Sequence, residues 1–260
     1  MAARLLVIQH SSTCPPGLLG EALKARNVEL DVRMGNAGDD IPETLAEHDG
    51  LMVLGGAMGA NDESTCPWLR PVKALIADTM SSGKPQLGVC LGHQLMAMAV
   101  GGVSHVNPEG KARGLTAFSP NAEGREDPLL SSTAPGSPGL QWNNDVVSDL
   151  PEQCSILATA PDGSIQAARF GPRAWGVQFH PEATPEIFRS WAAHRPADAD
   201  WPVEALHTAA DEFAEREAEV ARAWEPLAAR FADILESHSG GSPVKGDTLL
   251  RTSVSSGRRG

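Results

Sequence analysis

Residues 84–102 read "KPQLGVCLGHQLMAMAVGG". A short apolar run, "PQLGV" at 85–89, meets a cysteine set between two glycines, and a helical pattern, "HQLMAMAVGG" at 93–102, follows. Strand, tight turn and helix in that order make Gly88-Val89-Cys90-Leu91-Gly92 a nucleophile elbow with Cys90 in the serine position, the small residues on either side letting the chain turn sharply. The turn leaves the thiol at the carboxyl end of the strand, with the positive end of the next helix directed at sulfur, an arrangement that favours thiolate. A buried core cysteine is the commoner fate of a free thiol, and the elbow pattern alone does not exclude it.

Outward from this elbow, strand-like and helical runs alternate: "RLLVIQ" (4–9), "GLLGEALKA" (17–25), "VELDVR" (28–33), "DGLMVL" (49–54) and "PWLRPVKALIADTMSSG" (67–83). Alternation of this kind predicts an α/β fold, a mostly parallel central sheet with crossover helices on both faces. Between 103 and 179 the runs shorten to "GVSHV", "ARGLTAF", "SILATA", "SIQAARF" and "RAWGVQF", read as antiparallel or mixed strands extending the sheet, and "TPEIFRSWAAH" (184–194) closes the unit as a helix. Beyond "RPADADWP", apolar residues at Leu206, Phe213, Val220, Trp224, Leu227, Phe231 and Ile234 recur every three, four or seven positions, predicting two amphipathic helices broken at Pro226. Their stripe is expected to pack on the catalytic domain or on a second copy of the chain. The Ser- and Gly-rich end lacks periodicity. The expected organisation is a catalytic domain at 1–196, a C-terminal helical extension at 197–237 and a disordered tail at 238–260.

Composition narrows the function. Twenty-one Lys and Arg against 33 Asp and Glu give a formal charge of -12, which argues against holding nucleic acid. The start "MAARLLVIQHSS" lacks a signal-length apolar stretch, and no segment is long enough to span a bilayer. Cys14, Cys66, Cys90 and Cys154 are scattered without a Cys-x-x-Cys pair, so neither a zinc ribbon nor a disulfide framework is expected. The expectation is a cytoplasmic protein with free thiols, no metal and no cofactor.

A nucleophilic thiol needs a base, and the base needs an orienting group. In "WGVQFHPE" (175–182) an apolar strand ends at His180, and Glu182 follows after Pro181. Positions i and i+2 of an extended chain share a side, so Glu182 can fix the ring of His180 while His180 takes the proton of Cys90. An oxyanion hole needs backbone donors. "LMVLGGAMGAND" (51–62) ends a strand in Gly55-Gly56, and strand ends of a doubly wound sheet meet at one crevice. The N–H groups of Gly56 and Leu91 form the natural pair, although Gly-Gly alone also suits a plain turn. Gln94 lies one helical turn past Cys90 and faces the same site.

"LGGAMGAND", "GVCLGHQ" and "GVQFHPE", in this order and at these separations, resemble the class I (triad) glutamine amidotransferases, in particular the stand-alone members related to the glutaminase domain of GMP synthase. The resemblance covers residues 4–193. It implies a flavodoxin-like fold and hydrolysis of a glutamine-type amide, Cys90 forming a γ-glutamyl thioester as ammonia leaves for a separate synthase. It also maps Gly55 and Gln94 onto substrate binding. Where relatives carry W-H-x-D, this chain has "WNND", placing Asn143 at the histidine and keeping Asp145, both beside the substrate's amino-acid end; the common G-G-P is Gly55-Gly56-Ala57. The altered loop bears on the substrate more than on the chemistry. Three functions therefore stand side by side: ammonia supply to a partner synthase, partner-independent hydrolysis of another γ-glutamyl compound, and a non-catalytic regulatory descendant. The chain is expected to act as a monomer or homodimer on a small-molecule substrate.

Overall fold

A computed structural model describes residues 2–194 and 202–239. β1 (Ala3–Gln9) lies between β2 (Val28–Met34) and β3 (Gly50–Val53), parallel to both, with α1 (Gly17–Ala25) crossing between β1 and β2. α2 (Leu69–Ser82) leads into β4 (Gln86–Val89), and α3 (Leu91–Ala99) leaves it directly. Two antiparallel ribbons follow: β5 (Val103–Val106) pairs with β8 (Asp145–Asp149), and β6 (Ala112–Phe118) with β7 (Ser137–Asn143). β9 (Ser155–Thr159), β10 (Ile165–Gly171) and β11 (Ala174–Val177) return to the main sheet, whose order is β2-β1-β3-β4-β11-β10-β9. β11 joins β4 in parallel, and β10 and β9 add antiparallel. α4 (Pro185–Ala193), α5 (Val203–Glu215) and α6 (Glu217–Ser239) complete the chain.

Strands buried on both faces need apolar residues at every position, which is why "LLVI" and "GLMV" read as continuous runs. The pleat then sorts alternate residues to opposite faces. Leu5, Val7 and Met52 enter a core with α1, α4, α5 and α6, whereas Leu6, Ile8, Leu51 and Val53 enter a second core with α2 and α3.

Two sequence expectations change. Only three of the five late runs extend the sheet, because β5 and β6 find partners in "DVVSD" and "SPGLQWN" respectively, a stretch that the sequence pattern does not mark as strand. These partners form one path bent at Asn144, so the polar bend interrupts the alternation that would have marked a strand. The C-terminal break falls at Arg216, and Pro226 sits inside α6. A proline costs a helix interior about 3 kcal/mol. Here Trp224, Leu227, Phe231 and Leu235 are buried on both sides of it and stay in phase, and burial of several such side chains at about 1.5–3 kcal/mol each outweighs that cost. The linker at 195–201 and the chain from 240 onward, which includes nearly all of the expected tail, lie outside the described residues.

The stripe of α5 and α6 belongs to the same core as β1 and α1. Trp224 is its anchor: the ring packs 4.2 Å from that of Phe179, and the indole N–H donates to the Pro138 carbonyl at 2.7 Å. Trp224→Ala should therefore lower unfolding free energy by about 3–5 kcal/mol in denaturant titration. Trp224→Phe, which removes the donor and keeps most of the ring, should cost less than half of that.

Candidate active site

The backbone geometry singles out Cys90. Its φ of 52° and ψ of -106° are foreign to an L-residue, and holding a side chain there costs about 1–3 kcal/mol. The surroundings explain how the turn closes. A Cβ on Gly88 would lie 2.5 Å from the Gly92 carbonyl carbon, and one on Gly92 would lie 2.0 Å from the Val53 carbonyl oxygen. Strand and helix therefore cross at backbone contact, which only glycine permits. The Cys90 N–H donates to Val177 at 2.8 Å, ending the β4–β11 ladder, while the Cys90 carbonyl accepts from Gln94 at 3.1 Å and starts α3.

β11 runs out through Gln178 and Phe179 to His180, whose N–H is fixed by the Leu140 carbonyl at 2.8 Å. His180 and Glu182 are both buried, and Nδ1 lies 2.7 Å from Glu182 Oε1. The Glu182 carbonyl accepts from Leu18 at 2.9 Å, and Gly17, with φ of 43°, touches that carbonyl so closely that a Cβ would stand 2.0 Å away. The start of α1 thus clamps the His-Pro-Glu turn. Behind His180 the Trp191 ring packs at 4.5 Å, its own N–H donating to Thr13 at 2.6 Å. His180 Nε2 is buried and makes no hydrogen bond among the described residues. A Cβ on Gly55 would lie 3.1 Å from the His180 Cε1 and 3.5 Å from the Cys90 Cβ, so ring, thiol and glycine loop converge on one point.

Burial by itself would push the His180 imidazole down, but the Glu182 carboxylate and the Cys90 sulfur outweigh it and raise the group to about 10. The neighbouring thiol of Cys14 is driven the other way from reactivity: burial, against a hydrogen bond to Thr13 and with added repulsion from Glu182 and Cys90, pushes it up to about 12. His10 is also buried and, lowered to about 4 by desolvation, stays neutral; it accepts the Trp68 indole N–H at 3.2 Å and packs under Gly56. Among the described residues no three His, Cys, Asp or Glu side chains are grouped to hold a metal ion.

The remaining residues singled out in the sequence meet on the far side of Cys90. Gln94 Nε2 donates to the Asp145 carbonyl at 3.1 Å and to Gln178 Oε1 at 3.2 Å, and Asn143 Nδ2 donates to the same Asp145 carbonyl at 3.1 Å. The Asp145 carboxylate approaches the glycine loop at Gly59. Burial first, and then the charge of Asp62, raises that carboxyl against an opposing effect of His105. Sequence reading missed Arg113 and Trp191. Arg113 lies opposite Trp142 in the β6–β7 ribbon, with its guanidinium carbon 4.4 Å from the Trp142 ring centre. A single Arg within "KARGLTAF" carries no motif, and only the ribbon's register brings it here.

A mostly parallel sheet flanked by helices in this way is the fold of solved glutamine amidotransferases. The chain matches the class I glutamine amidotransferase family over residues 18–192 and belongs to it. Among curated proteins it is similar to the glutamine amidotransferase-like protein YfeJ of Salmonella typhimurium, 29% identical over 61% of this chain and 66% of that one. It is similar also to a glutamine-hydrolyzing GMP synthase subunit from Ignicoccus hospitalis, 35% identical over 38% of this chain and 51% of the relative. The alignments thus span between half and two-thirds of these two relatives. A glutamine amido transferase from Methylobacillus flagellatus superposes with a TM-score of 0.78 at 26% identity, covering 90% of this chain and 96% of the other. A glutamine amidotransferase from Thermotoga maritima shares the fold, with a TM-score of 0.78 at 22% identity over 90% and 99% of the two chains. No described helix is long and apolar enough to cross a membrane.

The raised His180 value has a consequence for stability. The folded group binds its proton more tightly than the unfolded one, whose value is near 6.5, so this stabilisation is complete below 6.5 and is lost as pH rises toward about 10. Thermal melts of the wild-type protein should fall across that window. Glu182→Gln, which removes the charge that holds the proton, should flatten the slope; an unchanged slope would mean that the pair does not carry it.

Proposed function

We propose that this chain hydrolyses the side-chain amide of a γ-glutamyl compound, with Cys90 as nucleophile, His180 as acid and base, and Glu182 as the group that orients and charges the imidazole. The observation that carries the reading is the buried 2.7 Å His180–Glu182 pair set against the elbow cysteine. His180, held as the imidazolium by Glu182, carries the proton of the Cys90 thiol, and the sulfur attacks the γ-carbon. The carbonyl electrons move onto oxygen, where the N–H groups of Gly56 and Leu91 receive them. As the C–N bond breaks, His180 passes its proton to nitrogen and ammonia leaves. Water, giving a proton to His180, then attacks the thioester, and the thiol departs with glutamate formed. Gly55, Gln94, Asn143 and Asp145 border the amino-acid end of the substrate. The residues need no metal or cofactor for these steps.

Two destinations for the chemistry follow from different observations. Similarity to glutamine-hydrolyzing subunits of GMP synthase favours ammonia delivery to a separate synthase. Asn143, at the position where the family resemblance implies a histidine in most relatives, leaves room for a γ-glutamyl amide other than free glutamine. Both share one reactive centre. Cys90→Ala should abolish release of ammonia or amine, and His180→Ala should cost more than Glu182→Ala, because an orienting group is partly replaceable and a base is not. A glutamine-like electrophile should label Cys90 ahead of Cys14, Cys66 and Cys154, with peptide mapping as the readout; undiminished hydrolysis by Cys90→Ala would sink the assignment.

The two destinations separate kinetically. Ammonia supply to a synthase predicts slow turnover of glutamine by the isolated chain. A steady-state rate near the typical enzyme value of about 10 per second without any partner would instead identify a self-sufficient hydrolase.

A further inference from the structure

The aromatic layer behind His180 ends at a cation that the chemistry above does not use. Arg113 is half-buried, its guanidinium carbon is 4.4 Å from the Trp142 ring centre, and among the described residues it has no carboxylate partner. Its position ties it to the reactive centre by two routes. Trp142 packs on Trp191 at 6.3 Å, and Trp191 packs on His180 at 4.5 Å. Arg113 Nη1 also donates to the Asn143 carbonyl at 2.7 Å; burial lowers the guanidinium to about 10, partly offset by Cys90, and leaves it a cation at neutral pH.

The donors of this side chain can be counted. A guanidinium carries five N–H groups. Nη1 donates to the Ala112 and Asn143 carbonyls, each at 2.7 Å, and Nη2 donates once, to Asn144 Oδ1 at 2.6 Å. Three bonds of five leave the Nε–H and one N–H of Nη2, two donors that as a side-on fork can take a carboxylate. The three existing bonds fix the plane of the fork, and Trp142 covers one face. A rotamer-rich side chain has thus been ordered in advance against the Asn143–Asn144 bend, with its charge unmatched by any described acid.

We propose that Arg113 is a specificity residue that receives a carboxylate of the substrate. The inference rests on reading the site as one for a γ-glutamyl amide and narrows the substrate to compounds with a carboxylate within reach of that fork. Such a group has two possible sources, the α-carboxylate of the glutamyl part or a carboxylate on the leaving amine. Either would be neutralised by the same two donors.

Two ligand pairs separate the sources: L-glutamine against its α-carboxamide, and γ-glutamylglycine against γ-glutamylethylamide. Each pair would be compared in the wild-type chain, Arg113→Met and Arg113→Lys by kcat/KM for ammonia or amine release. Dissociation constants would be measured by calorimetry in the same three proteins carrying Cys90→Ala. The expected result is that one pair shows a wild-type preference for its carboxylate-bearing member. Arg113→Met should reduce that preference by about ten- to hundredfold, chiefly through KM, with Arg113→Lys in between. The pair affected names the carboxylate. Arg113→Lys retains the cation should Arg113→Met fail to fold. A residue that merely braces the bend at Asn144 would depress both members of both pairs equally, and that result, or no wild-type preference in either pair, overturns the inference. If the preference appears in binding while no amide is hydrolysed, the proposed function falls and the role of Arg113 stands; if neither is seen, both fall.

Discussion

One backbone hydrogen bond sets the relation on which the site depends: the Cys90 N–H to the Val177 carbonyl, 2.8 Å. It is the last rung between β4 and β11, whose parallel register places Gly88 beside Gly176 and Val89 beside Val177. Both strands therefore end at the same height. The chain turns one way from β4 into α3 and the other way from β11 into the His-Pro-Glu turn, so the Cys90 thiol and the His180 ring emerge side by side without a loop to position them. A pairing shifted by one residue would carry every side chain of β11 to the opposite face and the imidazole away from sulfur. The fully buried aliphatic side chains of β3, β4 and β11 hold that register.

The second requirement is rigidity behind the imidazole, and an aromatic layer supplies it. Trp191 backs His180, Trp142 and Phe188 back Trp191, and Phe188 meets Phe213 of α5 at 6.1 Å. Phe179, next to His180 in sequence, is covered by Trp224 of α6. The C-terminal helices therefore touch the reacting centre through two short chains of rings. Their apolar stripe is part of the wall that excludes water from a buried charge pair, which in turn strengthens that pair.

What the sequence made legible was whatever is local. Gly88, Cys90 and Gly92 lie within five residues, His180 and Glu182 within three, and each group is positioned by the conformation of its own segment. The alternation of buried strands with helices was readable for the same reason. Contacts made across the sheet were not. Trp191 reaches His180 from a helix whose spacing suits any core aromatic, and Arg113 reaches Trp142 only because β6 and β7 pair in that register. Pro226 misled because its local penalty is written in the sequence, whereas the burial that overrides it is spread over residues far apart in the chain. The bend at Asn144 hid two strands by splitting one path between two partners.

The glycines of the elbow and the acid-base pair answer to different pressures. Gly92 is required because the Val53 carbonyl lies where its side chain would be, a constraint of folding that holds whether or not the thiol ever reacts. His180 and Glu182 are the reverse: a buried ion pair is a net expense to a fold that apolar side chains of similar volume would relieve. In a lineage that lost catalysis, drift would therefore spare the glycines and erode the histidine and glutamate first. The two sets of residues therefore separate what the fold requires from what only the proposed chemistry would require.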